Sequence, residues 1–498
     1  MARRGVRFVL TAAACLAAAP AGAQEIGAQE IDGPTTETLK EALAEAYQSN
    51  PTLLAARANL RATDEGVPLE RADALPSLSA SANYTEFLYD SSSAPGPGRN
   101  AGGQISLGVP VYAGGGTRNA IRGAETRVLA GRADLRGTES QVFNQVVAAY
   151  MDVIQNEALV GLSANNVDVL ATNLEATSDR FEIGDLTRTD VAQSESRLAL
   201  ARGDLRSAQA NLIRARETFI ALVGAAPGEL QPPPPLPGLP ENVDNAVRTA
   251  LLDNPDLIGA QERARAAGFD IRIASSARLP RLELFTSGGV TDYLGTLGSS
   301  IPGVTPAQRQ TSAQAGVRAT IPLFQGGRPA AQERQAQARS SVALETVVAT
   351  ERDVIATVRS AYAAWQAATE IINSSQAAVA AAELSLEGVR AENTVGNRTI
   401  LDILDAQQEL FRTQVQLVTA RRNAYVAGFN LLAAMGHAEA RDLGLDEYGP
   451  LYDPTENYDR IRNNIWDWAH DPDPVTQSSR TVDIPAQDAD IPEPRPAE

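Results

Sequence analysis

The feature that most constrains this chain is that it contains itself twice. Asn50-Pro51 recurs as Asn254-Pro255 and Leu75-Pro76 as Leu279-Pro280, both at a spacing of 204 residues. From Pro110 onward the spacing becomes 212: Pro110 matches Pro322, Gly114-Gly115 matches Gly326-Gly327, and Tyr150 matches Tyr362. Gly184 and Gly396, Thr187 and Thr399, Asp190 and Asp402, Leu198 and Leu410, and Gly224 and Gly436 keep that register. Self-similarity at a fixed period marks a repeated structural unit. The eight-residue change in spacing falls in a stretch rich in Gly, Ser and Pro, where a loop tolerates insertion. Residues 231–240, with four consecutive prolines, read as a semi-rigid linker. The organisation is therefore repeat 1 at 36–230, the linker, repeat 2 at 241–440, and an acidic tail at 441–498 expected to be partly disordered.

Each repeat offers the same order of elements. After short helices, residues 104–112 alternate, with Ile105, Leu107, Val109 and Val111 opposite Gln104, Ser106, Gly108 and Tyr112. Residues 312–323 do the same, setting Ala313, Ala315, Val317, Ala319, Ile321 and Leu323 against Ser312, Gln314, Gly316, Arg318 and Thr320. Period two with one apolar face predicts strands, and weaker strands at 77–89 and 281–293 complete one β-hairpin per repeat, about 77–112 and 281–323. The period then changes. Residues 117–181 and 329–392 hold hardly a breaker and are built from good helix formers; such helices reach roughly 100 Å. Each is expected to return as a second helix, giving long pairs at 117–223 and 329–436. In the last, Ile403, Leu410, Leu417, Ala424 and Leu431 recur every seven residues, as do Leu404, Phe411, Val418, Tyr425 and Leu432. A strict heptad signals supercoiling, and two adjacent columns predict neighbours on two sides; an ordinary antiparallel coiled-coil pair is the simpler reading of the helices alone.

Composition removes most alternatives. With 43 Lys plus Arg against 61 Asp plus Glu, the formal charge of −18 argues against nucleic acid, whose phosphates demand clustered cations. Lys40 is the only lysine, the two histidines (His437 and His470) lie near the C-terminus, and Cys15 is the only cysteine. Phosphate-loop, Schiff-base, zinc and thiol chemistry have almost no material, so no enzyme, cofactor or metal is expected. Gly114-Gly115-Gly116 lacks a nucleotide-binding pattern, and its recurrence before Arg328-Pro329 suits a strand-to-helix turn. At the N-terminus, Arg3, Arg4 and Arg7 precede a short apolar stretch and Ala21-Gly22-Ala23, which predicts a signal peptide over 1–23; Cys15 as a lipid-attachment site is the alternative. Beyond it no apolar run approaches the roughly 18 residues of a transmembrane helix, so insertion in a membrane would have to use strands. Two hairpins give four strands, too few for a closed barrel, and open edges are intolerable in lipid. Several copies must therefore combine, and three would give twelve strands and twelve helices.

At this point the residues resemble the TolC-type outer-membrane efflux channel family. The resemblance rests on the run from Val395 through Asp402-Ile-Leu-Asp405 to Leu410, on Ala420-Arg-Arg-Asn-Ala-Tyr425 and on Leu431-Leu-Ala-Ala-Met-Gly436. Arg180-Phe-Glu-Ile-Gly184 with Thr187-Arg-Thr-Asp190 is similar to the family's equivalent turn, and the Asn-Pro, Leu-Pro and Val-Pro-Val-Tyr-Ala-Gly-Gly blocks fit, so that residues 36–440 are covered. It implies a homotrimer: a twelve-stranded β-barrel in outer-membrane lipid, continuous with a twelve-helix α-barrel across the periplasm. It also implies a passive exit duct, with a periplasmic adaptor and an inner-membrane transporter, either proton-driven (RND type) or ATP-driven (ABC type), as partners. Drug efflux and protein secretion both remain open. A non-conducting trimeric coiled-coil surface protein and an enzyme on a helical scaffold are the competing classes; the first leaves the amphipathic hairpins unexplained, the second lacks a reactive cluster.

The expected gate lies at the helical turns. Thr187 with Asp190 and Thr399 with Asp402 each form Thr-x-x-Asp, which helix capping explains in large part. Asp405 has no such explanation. In a threefold ring Asp402 and Asp405 would supply six carboxylates at a constriction, a cation-selective arrangement, and by resemblance they match the family's periplasmic entrance aspartates. The match of Arg398, where repeat 1 has Leu186, implies a closing contact with Asp190 and the Thr189 region on a neighbouring helix pair; a solvated arginine is the simpler alternative. Asn393 stands where the family pattern often has tyrosine. Gly184, Leu186, Arg188, Gly396 and Asn397 are the expected adaptor contacts at the exposed tips.

Overall fold

The computed structural model describes residues 37–88, 97–299, 301 and 303–490 of the 498; the expected signal peptide, Cys15 included, lies outside them. The two repeats have matching architecture. Repeat 1 runs α1 (Leu39–Ser49), α2 (Pro51–Asp64), α3 (Gly66–Ala72), β1 (Ser77–Glu86), β2 (Arg99–Ala113), α4 (Gly116–Glu182) and α5 (Arg188–Val223). Repeat 2 runs α6 (Val243–Asp253), α7 (Pro255–Ser276), β3 (Arg281–Asp292), β4 (Arg309–Thr320), α8 (Arg328–Thr394) and α9 (Ile400–Met435). The outgoing helices α4 and α8 are 67 residues each and the returning helices α5 and α9 are 36 each. Repeat 1 splits into α2 and α3 what repeat 2 makes in one helix, α7. Pro68 has no N–H to give the Asp64 carbonyl and its ring crowds that carbonyl, which breaks the helix there.

The repeated blocks now have physical reasons. Asn50 caps α2, its Oδ1 accepting from the amides of Thr52 and Leu53, while its Nδ2 donates to Leu222 O at the end of α5. Asn254 repeats this at α7, with Asp256, Leu257 and Ala434 O at the end of α9. Each Asn-Pro thus ties the start of an upper helix to the end of a returning one, with Pro at the first helical position where its missing donor costs nothing. Tyr150 Oη contacts Glu37 O and Gln231 O, and Tyr362 Oη donates to Glu241 O, which fixes the linker against both long helices. Gly114 and Gly115 lie at φ 64° and 78°. A Cβ on Gly114 would stand 2.7 Å from Leu279 Cβ, so the glycines make the strand-to-helix turn.

The two hairpins join in one antiparallel sheet of order β1-β2-β3-β4, with β2 paired to β3 across the repeats and one edge each of β1 and β4 left free. Register puts Leu78, Leu107, Thr286 and Ala315 on one face, with Ile105, Leu284 and Val317. The other face carries hydrogen-bonded cross-strand pairs: Ser79 with Ser106, Glu283 with Arg318, and Ser287 with Gln314. The alternation read from sequence is therefore that of an amphipathic sheet. It differs at two points. A bulge between Pro110 and Tyr112 sets Tyr112 opposite Leu282, on the apolar side rather than the polar side expected, because one extra residue inverts the alternation beyond it. β4 ends at Thr320, leaving Ile321 and Leu323 beyond the strand.

The principal core sits where α1 and α2 pack on α4 and α5, around the fully buried Tyr150, Phe143, Phe219, Leu53, Leu60 and Leu212. A second cluster joins α6 to α8 and α9 through Ala246, Val358 and Leu431. Helix α9 contacts α8 on one side and α4 on the other, and its two apolar columns are all half-buried or buried. The segment after α9 packs against the core through Leu445 and Tyr452, and α10 (Glu456–Ile461) rests on α2. Trp466 and Trp468 are exposed. Residues 469–490 of the tail have no helix or strand and include a turn at 481–484, and buried Arg216 donates to Asp488 O and Asp490 O and pairs with Glu157; residues 491–498, the end of the tail expected to be partly disordered, lie outside those described.

Candidate functional site

Both hairpin tips are built by the same local rules. Helix α4 ends in a turn where the Gly184 amide donates to Phe181 O and the Asp185 amide to Arg180 O. Helix α8 ends likewise, Gly396 to Asn393 O and Asn397 to Glu392 O. Gly184 and Gly396 take φ 84° and 81°, the left-handed conformation that glycine adopts at no steric cost. The next helix starts at once on a capping box. Thr187 Oγ1 accepts from the Asp190 amide while the Asp190 carboxylate accepts from the Thr187 amide at 2.9 Å. Thr399 and Asp402 do the same, at 2.8 Å for the return bond. Both carboxyls are held below the ordinary aspartate value: Asp190 by the Thr187 amide and then its hydroxyl, Asp402 by the Thr399 hydroxyl and then its amide, with Arg398 adding to the second.

The tips differ in what is attached to this shared turn. At tip 1 the only ion pair is Arg180 with Asp185, at 2.6 Å within the turn, among the described residues. Leu186 is half-buried, and Arg188 and Thr189 are exposed. At tip 2 Arg398 Nε donates to Glu392 Oε2 at 2.7 Å and Nη1 lies 3.6 Å from Asp402 Oδ1. These two carboxylates raise the Arg398 pKa, Glu392 contributing most. Asn393 Nδ2 donates to the Arg398 carbonyl at 2.7 Å, so a polar residue at this position braces the loop that presents Arg398. Within one chain Arg398 is thus engaged by Glu392 and Asp402, not by Asp190, whose carboxylate is taken up by Thr187.

Asp402 and Asp405 lie in the first turns of α9, but their partners separate them. Asp402 is bound locally by Thr399. Asp405 Oδ1 receives Arg197 Nη2 of α5 at 2.7 Å, an ion pair between hairpins that sequence reasoning missed because the partners stand 208 residues apart. Other polar ties follow the seam between α4 and α9: Asn173 to Gln407, Gln155 to Thr419, and Asp152 to Arg422. Apolar packing joins α4, α5 and α9 through Leu170, Leu198 and Leu404. Among the described residues no cluster of His, Cys, Asp or Glu could hold a metal ion, and no helix is long and apolar enough to cross a membrane.

Comparison with known proteins bears on the family and the duplicated fold. The outer membrane efflux protein model matches residues 42–225 and 246–437, one match per repeat. The chain is similar to the outer membrane efflux protein BepC of Brucella suis biovar 1 (strain 1330), at 33% identity covering 88% of this chain and 93% of BepC. It is similar to the outer membrane protein TolC of Escherichia coli (strain K12), at 26% identity covering 82% of this chain and 84% of TolC. Among solved structures, the outer membrane protein VceC of Vibrio cholerae superposes with a TM-score of 0.68 at 24% identity, covering 80% of this chain and 96% of that one. With both repeats matched in order, the chain belongs to the outer membrane efflux protein family, that of the TolC-type channels.

Proposed function

We propose that this protein is a passive homotrimeric exit duct, gated at its periplasmic helical tips, that carries small toxic compounds or secreted proteins from an inner-membrane transporter to the exterior. The observation that carries the reading is the amphipathic four-stranded sheet with two unpaired edges, attached at one end to 67-residue helices. A sheet with an apolar face and free backbone donors and acceptors is stable in lipid only when its edges are closed. Closure by two further copies gives twelve strands, and the helices, at about 1.5 Å per residue, extend roughly 100 Å away from the membrane. The tips at the far end present Gly184, Leu186, Arg188, Gly396 and Asn397 to a periplasmic adaptor, whose transporter is of the RND or ABC type. In the trimer Arg398 reaches toward Asp190 and Thr189 of a neighbouring helix pair, and Asp402 and Asp405 line the constriction.

Single-channel recording of the purified mature protein in a planar bilayer tests the reading, with the Asp402→Ala/Asp405→Ala variant beside it. Cation-selective steps in the native protein that lose selectivity in the variant support the duct and the ring together. Steps of unaltered selectivity keep the duct and remove the ring. A well-folded protein that never conducts overturns the duct in favour of a structural coiled coil.

A further inference from the structure

The ionic groups at and just beyond tip 2 fall into two sets, and their summed charge is not that of a bare carboxylate ring. Asp402 shares Arg398 with Glu392, and Asp405 is joined to Arg197. Three carboxylates against two guanidinium groups leave one net negative charge per chain, and Arg197 alone supplies the cancellation of Asp405. The pair is half exposed, at 34% and 59% for the two side chains, so it stands beside water rather than in the core. Repeat symmetry does not account for it: the position in α9 equivalent to Arg197 is Glu409, which pairs with Arg412 on its own helix.

We infer that Arg197 is a selectivity-determining residue of the constriction, setting its net charge by neutralising Asp405. The inference rests on the proposed gate at the helical tips. In a trimer these two sets together carry three net negative charges, and removal of Arg197 doubles that to six. Local counterion concentration in a narrow, low-dielectric passage follows net fixed charge, so the number of uncompensated carboxylates, not the number of carboxylates, decides ion preference. Loss of Asp405 has the opposite consequence, because the stranded Arg197 then cancels the charge that remains. A residue that only braced the helices would not give opposite signs for the two halves of one ion pair.

Reversal potentials in a KCl gradient across planar bilayers test this on the full mature trimer, with Arg197→Gln, Arg197→Lys, Asp405→Asn, Asp402→Asn and the exchanged pair Arg197→Asp/Asp405→Arg. Arg197→Gln is expected to raise the potassium-to-chloride permeability ratio by about threefold, and Asp405→Asn to lower it by a similar factor. Arg197→Lys and the exchanged pair keep the net charge and so the native ratio. If Asp402→Asn lowers the ratio while Arg197→Gln and Asp405→Asn leave it unchanged, the role of Arg197 is overturned and the tip gate stands. If none of the three moves the ratio, the constriction lies elsewhere and both readings fall. Should Arg197→Gln fail to assemble, the exchanged pair decides beside Asp405→Asn: a native ratio in the exchanged pair with a shift toward chloride in Asp405→Asn supports the inference, and a shift toward chloride in the exchanged pair refutes it.

Discussion

The two hairpin tips are built on the same backbone and carry different charges. Each has a left-handed glycine, a Thr-x-x-Asp capping box and helices of matching length. Tip 1 keeps its ion pair to itself, Arg180 with Asp185, and puts Leu186 where tip 2 has Arg398. Tip 2 links Glu392, Arg398 and Asp402 across its turn, and a turn deeper Asp405 reaches Arg197 on the other hairpin. Duplication therefore supplied the turn twice, while the ion pair that reaches beyond it joins Asp405 of the second copy to Arg197 of the first. The seam between α4 and α9 is held by polar ties, which exchange with water at small cost.

The largest effect expected from breaking the comparison is on resting conductance. Arg398→Ser removes the cation that engages Glu392 and Asp402 and, in the trimer, the proposed contact with the neighbouring pair. Closed-state current is expected to rise several-fold as the closed side of a two-state gate loses that contact. Arg180→Ser at tip 1 breaks only an ion pair within its own turn and should leave the current unchanged. Equal currents in the two variants, recorded in planar bilayers, would remove the functional difference between the tips.

What was legible in the sequence divides along the same line. The helix lengths, the glycine turns and the capping boxes are local: each depends on residues a few positions apart, so their signals survive in the one-dimensional string, and the repeat is the same run of signals met twice. The joining of β2 to β3, the bulge that turns Tyr112 to the apolar face, the tail held by Arg216 and the Arg197–Asp405 pair depend on residues brought together from afar. Nothing near Arg197 in sequence distinguishes it from the other arginines of α5. Asp405 was legible as unexplained by capping, but its partner was not. Arg398 was legible as the position where the copies disagree, and its partners Glu392 and Asp402 lie close enough in sequence to have been found by asking which carboxylates a turn brings beside it.

A smaller and more symmetrical effect is expected from pH. Asp190 and Asp402 both have folded-state pKa values below the ordinary 3.8. A depressed carboxyl stabilises the cap fully above the unfolded value and loses that contribution as pH falls through the folded one. Both tips are therefore expected to loosen together only below about pH 3.8 and to stay fixed across the neutral range. Nitroxide labels at the equivalent positions Thr189→Cys and Leu401→Cys, both exposed, report this as increased mobility; Cys15 is the only native cysteine and lies in the expected signal peptide. In the Arg398→Ser background the Leu401 label should loosen at a slightly higher pH, because one of the groups that depresses Asp402 is gone, while the Thr189 label should not move. A shift at both labels would mean that the tips are electrostatically coupled within the trimer.

The smallest difference is the one expected to be zero. Thr187→Ala and Thr399→Ala remove the same hydroxyl from the same capping geometry, and each is expected to cost about 1 kcal/mol, the usual value of an N-cap. Read as local opening, that is about a fivefold faster hydrogen exchange at the Asp190 and Asp402 amides, which donate to those hydroxyls. The equality matters because Asp402 has a second ligand in Arg398 that Asp190 lacks. If the Asp402 amide is accelerated less than the Asp190 amide, Arg398 is holding the helix start in place of the hydroxyl, and the charges of tip 2 are structural as well as electrostatic. If the two are equal, the turn is a passive mount shared by both repeats, and the differences between the tips lie in charge alone.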